Sequence, residues 1–216
     1  MPEFIVVVSD PRVKKPRVVP VKIIGLENIE YSDKHKEQRV LPEIHVNPQA
    51  LNIISPPLGI VVVRIWKNKA AREKVKLVGK AVSDNSLDIS TVGVPLAFLI
   101  EKIGASQVMG EIFAAPTFQV RVSEDVASKF VGMKIGNRVD GRLIGFPNIT
   151  LEIRGGSDLA GFPMRLDVEG AVKKYLLLSS GPGFKPKEKG ERRRKLVRGN
   201  TISSDIVQIN TVIVVA

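Results

Sequence analysis

The apolar residues of this chain come in short bursts that Pro and Gly repeatedly interrupt. Phe4-Ile5-Val6-Val7-Val8 is followed at once by Ser9-Asp10-Pro11, and Gly59-Ile60-Val61-Val62-Val63-Arg64-Ile65-Trp66 is bounded by Pro56-Pro57 and a basic stretch. Such runs have the length of a strand and not that of a bilayer-crossing helix. Val and Ile, stiff at χ1, also fit a pleated surface better than a helix. The chain therefore reads as mainly β with a few short helices.

Strands are expected at 4–8, 18–24, 59–66, 75–82, 149–153, 175–178 and 206–215. Pro20 marks an edge or a bulge in the second of these, and Tyr175 to Leu178 reads as a short buried strand. Residues 25–57 hold Pro42, Pro48, Pro56 and Pro57 and read as loops. Two short helices are expected. One covers 95–103, from Pro95 to the stop at Gly104. The other covers 124–131, capped by Ser123, with Glu124 and Asp125 in its first turn and Gly132 after it. The phrases Lys102-Ile103-Gly104 and Lys134-Ile135-Gly136 after these helices read either as a helix-then-strand repeat or as chance similarity.

Charge narrows the function. The 33 Lys+Arg outnumber the 22 Asp+Glu, a net of +11. Ten of the basic residues lie within 173–198, opposed there only by Glu188 and Glu191. One basic segment is thus mounted on a nearly neutral body, and such a field favours a polyanionic partner. A smaller group, Lys67, Lys69, Arg72, Lys74 and Lys76, marks a basic hairpin tip, read equally as a solvated turn or as an RNA contact. The first residues lack a basic n-region and a long apolar run, so no secretory leader is expected and the cytoplasm is the default location.

Several chemistries lack the residues they need. The chain has no Cys and two His, His35 and His45, which removes disulfides, thiolate sites and most His-based catalysis. Both His read as surface or packing residues. No metal or cofactor is called for. Gly155-Gly156-Ser157-Asp158 lacks the spacing of a P-loop, and no GxGxxG opens a helix. Ser157, Asp158 and Asp167 have no His to complete a triad, and turn chemistry explains Ser157-Asp158 more simply.

The candidate site is the segment 184–200. Lys185, Lys187, Lys189, Arg192, Arg193, Arg194, Lys195 and Arg198 are its cations, with Arg165, Lys173 and Lys174 as a second set beside Arg154. Phosphate binding needs cations, and the Arg fork grips phosphate oxygens in pairs. Pro186 keeps the segment extended, while Gly190 and Gly199 let backbone approach a ligand. The segment reads as a nucleic-acid contact, a localisation signal or a solvated run, and on the first of these readings self-repulsion, relieved only by RNA, is a reason to expect mobility before assembly. Phe162 and Phe184 lie in Gly/Pro loops. With no aromatic platform around them, each is read as a plug onto the core rather than a base-stacking ring.

Gly155-Gly156-Ser157-Asp158 with Gly161-Phe162-Pro163-Met164-Arg165 is one distinctive block, and Leu176 to Phe184 is a second. Gly190 to Ser203 is a third, and Ile206 to Asn210 a fourth. Together they resemble the small-subunit ribosomal protein family number six of the "e" type, shared by archaea and eukaryotes. Residues 118–154 and the opening Phe4 to Arg17 are similar to that family too. The resemblance implies a compact β-barrel-like core with short helices plus an inserted β-rich subdomain. On this reading 1–21 form the first hairpin of the core, 22–117 the insertion, and 118–216 the rest. It also implies a non-enzymatic, structural constituent of the small ribosomal subunit in the cytoplasm. Its partners are small-subunit rRNA and neighbouring ribosomal proteins, with no membrane and no small-molecule substrate. With Ala216 directly after the closing strand, the phosphorylated C-terminal helix of eukaryotic members is not expected here. The rival readings are an RNA-modifying enzyme using Asp158 or Asp167, a non-ribosomal RNA-binding module, and a membrane-surface module. The last requires an amphipathic basic helix.

Overall fold

A computed structural model describes residues 4–68 and 72–214. Lys69 of the basic hairpin tip and Val215 of the closing strand lie outside the described residues. The chain divides into two compact units, Asp10–Phe118 and Met1–Ser9 with Gln119–Ala216. Both are mainly β with short helices.

The chain opens with β1 (Phe4–Ser9), in which buried and half-buried residues alternate. Then comes the middle unit: β2 (Val19–Leu26), α1 (Asp33–Lys36), β3 (Glu43–Val46), α2 (Pro48–Ile54), β4 (Ile60–Asn68), β5 (Glu73–Ser83), β6 (Thr91–Pro95), α3 (Leu96–Lys102) and β7 (Gln107–Ala114). Its six strands close into a barrel in the order β2-β6-β3-β5-β4-β7. Closure comes from the antiparallel pairing of β2 with β7, which leaves no free sheet edge. Pro20 lacks a ladder N–H. It pairs with Glu111 on β7, while β6 joins β2 only from Lys22 onward. Val21, Ile23, Ile44, Val63, Leu99 and Ile112 are among the buried residues that fill the interior.

Two features differ from the sequence expectation. Residues 10–21, grouped with the first unit by sequence, belong with the barrel, because Val19–Leu26 is one unbroken strand and a boundary at 21 would cut it. The stretch 25–57, read as loops, contains α1 and α2. Helix α2 starts at Pro48, where the missing N–H costs nothing, and the Asn47 side chain accepts the Gln49 N–H at 2.8 Å.

The terminal unit continues with β8 (Thr117–Val122), α4 (Glu124–Phe130), β9 (Arg138–Asp140), β10 (Thr150–Asp158), β11 (Lys173–Leu178), β12 (Arg193–Arg198) and β13 (Ile206–Val214). Helix α4 matches the expected 124–131 closely. Gly141–Ile144, in the phrase after it, is a 3-10 turn rather than a strand, so the two helix-led phrases differ in structure. One sheet runs β8-β1-β13-β10-β9, with the C-terminal strand at its centre. There β13 pairs in parallel with β1 and antiparallel with β10. Phe4, Phe130, Leu151, Ile153, Ile206 and Ile209 are buried in this unit. A register shift between Ile153 and Gly155 puts a bulge at the Gly155-Gly156 phrase, as glycine-bearing strands favour.

Candidate nucleic-acid interface

The basic segment of the sequence becomes half of a two-stranded ribbon. Strand β12 runs antiparallel to β11, with Lys173 opposite Arg198, Tyr175 opposite Leu196, Leu177 opposite Arg194 and Leu178 opposite Arg193. The two strands read Lys-Lys-Tyr-Leu-Leu-Leu and Arg-Arg-Lys-Leu-Val-Arg and contain no carboxylate. Side chains alternate across a pleated pair. One face carries Leu176, Leu178 and Val197, which pack with Val168 and Phe184 into a small cluster. That inward face holds β12 in place. Phe184 is thus a plug onto a core, as the sequence indicates.

The other face turns Tyr175 and Leu177 outward, 58% and 66% exposed. The expected short buried strand is therefore buried on one face only, through Leu178 and the partly buried Leu176. The guanidinium of Arg194 lies over the Tyr175 ring, 5.2 Å from its centre.

The predicted cations separate into three groups. Lys185, Lys187, Lys189, Arg192 and Arg194 are exposed and Lys195 is half-exposed, as is the segment's Phe184. Lys174 is exposed on β11. Among the described residues none of these seven cations has a carboxylate within ion-pair distance. Arg193 and Lys173 are exposed but paired, Arg193 Nε with Glu191 Oε1 at 2.7 Å and Lys173 Nζ with Asp158 Oδ2 at 3.7 Å. Glu191 also accepts the Lys187 backbone N–H at 2.7 Å, tying the loop to the ribbon. That N–H, then Arg193, holds the Glu191 carboxyl below its ordinary range.

Arg198 and Arg165 form the third group and differ from the sequence expectation. Arg198 is 3% exposed. Its guanidinium meets Asp205 Oδ2 at 3.3 Å and donates to Ser203 Oγ. A group so placed secures the turn between β12 and β13 and has little surface to offer a phosphate. Arg165 grips Asp167 with two bonds of 2.8 and 2.7 Å and donates to the Pro182 carbonyl at 3.1 Å. Arg165 holds the Asp167 carboxyl below its usual range. Arg154 is paired with Glu152 at 3.0 Å. Gly199 does permit a close backbone approach, but to Gly170 of its own chain, where a Cβ would collide with the carbonyl oxygen.

The residues considered for acid–base work are occupied structurally. Asp158 is buried and its Oδ1 accepts the Phe162 N–H at 2.8 Å, closing the turn that the glycine-rich block forms. A cleft beside the ribbon, about 680 Å³, is lined by Asp158, Lys173 and Asp205 among others. Each of its two carboxylates faces a cation, Lys173 or Arg198, so they do not make the like-charge pair that acid–base catalysis exploits. His45 Nδ1 lies 3.0 Å from Asp84 Oδ2, a local pair on the barrel. Among the described residues no cluster of His, Asp and Glu is arranged to hold a metal ion, and no helix is long and apolar enough to cross a membrane.

Together these features define a mainly β protein with a cationic outward ribbon. The family model described as "Ribosomal protein S6e" matches residues 108–216. Over 215 residues the chain is 49% identical to the small ribosomal subunit protein eS6 of Hyperthermus butylicus, covering 99% of this chain and 98% of that one. The protein of the same name from Staphylothermus marinus is 44% identical over 214 residues, covering 99% of each. That of Saccharolobus solfataricus is 40% identical over 217 residues, covering 99% of this chain and all of the relative. The chain belongs to the ribosomal protein S6e family.

Proposed function

We propose that this chain is a structural constituent of the small ribosomal subunit in the cytoplasm, and that it holds rRNA through the exposed cations of 185–195. Family membership supports the ribosomal, non-enzymatic role. The observation that carries the binding surface is the acid-free β11–β12 ribbon, whose unpaired cations adjoin a loop of three further lysines. Lys185, Lys187, Lys189, Arg192, Arg194 and Lys195 bind phosphates, with Lys173, Lys174 and Arg193 at the margin. Arg198 and Arg165 position the ribbon through Asp205, Ser203, Asp167 and Pro182. Phosphate binding fixes position without reading sequence, so rRNA shape supplies specificity. The barrel unit is read as an insertion, since β1 and the strands from β8 onward complete one sheet without it.

The test is a filter-binding titration of the full chain against small-subunit rRNA over a range of salt. Replacing Arg192, Arg193, Arg194 and Lys195 together by Ala weakens binding and lowers the slope of log K against log salt by about 3, near 0.9 for each of the phosphates that Arg192, Arg194 and Lys195 neutralise. An unchanged slope overturns the assignment. Sedimentation of the native protein provides the second check, with co-migration with small subunits as the expected result.

A further inference from the structure

We propose that Tyr175 and Arg194 form a stacking platform for an unpaired RNA base on the outward face of the ribbon. The inference rests on the RNA-binding reading above and names what the ribbon's apolar patch is for. Phosphate binding explains the cations but not why a Tyr and a Leu stand exposed between them. Tyr175 is 58% and Leu177 66% exposed, and both lie on the face opposite the small cluster of Val168, Leu178 and Val197. Antiparallel pairing places Arg194 opposite Leu177 and one diagonal step from Tyr175, so its guanidinium reaches over the ring. Among the described residues Arg194 has no carboxylate partner, and its N–H groups remain free for an acceptor.

A planar cation on an aromatic ring is a surface on which a nucleobase stacks, and every base has a π-face to offer. Leu177 extends the apolar floor beside it. Charge complementarity decides the occupant. Both strands are free of carboxylates and carry a stacked cation–ring pair, which a looped-out nucleotide uses at once, its base on the Tyr175–Arg194 pair and its phosphate on the cations of the adjoining loop. Duplex RNA keeps its bases stacked inside the helix and cannot use the ring. The platform therefore selects single-stranded or looped RNA over duplex.

The experiment compares wild-type chain with Tyr175→Leu and Tyr175→Phe. Binding is read by fluorescence anisotropy with a short labelled RNA lacking self-complementarity, and with the same strand annealed to its complement. Tyr175→Leu keeps apolar area on the strand and removes the ring. It is expected to weaken single-strand binding about tenfold, the scale of one base stacked on one ring, with the salt slope and the duplex affinity unchanged. Tyr175→Phe is expected to bind both as wild type. Equal loss on single strand and duplex, or single-strand affinity unchanged in Tyr175→Leu, overturns the platform. So does an RNA-binding-competent Tyr175→Leu that fails to join small subunits, since that result assigns the patch to a protein neighbour. The four-fold Ala variant separates this from the broader reading. If its salt slope falls while Tyr175→Leu binds normally, only the platform is lost. If its slope stays constant, RNA binding through the ribbon fails first.

Discussion

The barrel and the β11–β12 ribbon treat the edges and faces of a sheet in opposite ways. The barrel pairs each strand on both sides and, among the described residues, packs seventeen buried ones into one cluster. The ribbon has two strands and three buried residues, Val168, Leu178 and Val197, beneath one face. A lone two-stranded pair is marginal in water. This one is retained by polar ties: Arg198 to Asp205 and Ser203, Arg165 to Asp167 and Pro182, and Glu191 to Lys187 and Arg193. The contrast teaches how a chain keeps many like charges outward. Burial is concentrated in the closed barrel, and the acid-free strands of the ribbon receive only enough packing to fix their register.

The sharpest way to break this contrast is through the barrel interior. Ile112 is fully buried and lies opposite both Val19 and Val63. Ile112→Ala is expected to cost about 2–5 kcal/mol from lost burial and the cavity left behind. Urea denaturation measures this, and the salt slope of rRNA binding stays that of wild type below the transition. A changed slope would mean that barrel packing and the cationic face are not separable.

A smaller effect sharpens the division among the ribbon's own cations. Arg198→Met removes the inward ties and is expected to lower stability by about 1–2 kcal/mol, with the salt slope unchanged. Arg194→Ala is expected to shift stability by at most about 0.5 kcal/mol and to lower the slope by about 0.9. Denaturation and salt titration of both variants check this, and a reversed pattern would abolish the distinction between positioning and phosphate-binding arginines.

The smallest effect lies on the barrel surface. The Ser86 hydroxyl, then His45, holds the Asp84 carboxyl down at about 2, below its ordinary 3.8. A depressed carboxylate contributes stability that is present above its unfolded value and is lost as pH falls through its folded value. Asp84→Asn is therefore expected to flatten the acid limb of the stability profile between 3.8 and about 2. The salt titration of this variant at neutral pH is expected to match wild type. Denaturation midpoints taken across that acid range provide the measurement.

Much of the fold was legible where local signals and long-range packing agree. The run from Gly59 to Trp66 became β4, and the helices expected at 95–103 and 124–131 formed to within a residue or two, although Pro95 ends β6 and Ser123 makes no side-chain cap bond. Helix α2 carried a readable start in Asn47-Pro48 that the surrounding prolines obscured. Strand β12 had no such signal, because Arg193-Arg194-Lys195 repel one another and favour no strand by themselves. It forms because Val197 finds Val168 and Leu178 and because β11 supplies hydrogen-bonding partners. The exposure of Tyr175 and Leu177 could have been found from the period-two reading of Tyr175, Leu176, Leu177 and Leu178, in which only alternate residues point inward.

The sequence alone determined the β character, the family and the place where positive charge accumulates, because each depends on which residues occur and in what order. Only the tertiary structure decided which cations look outward. Arg194 and Arg198 are four residues apart on one strand, yet one lies over an exposed ring and the other is buried against Asp205. Pairing register sets both on the same face of the ribbon; their fates differ because the turn after β12 folds Ser203 and Asp205 back over Arg198, while Arg194 meets only the Tyr175 ring of the neighbouring strand.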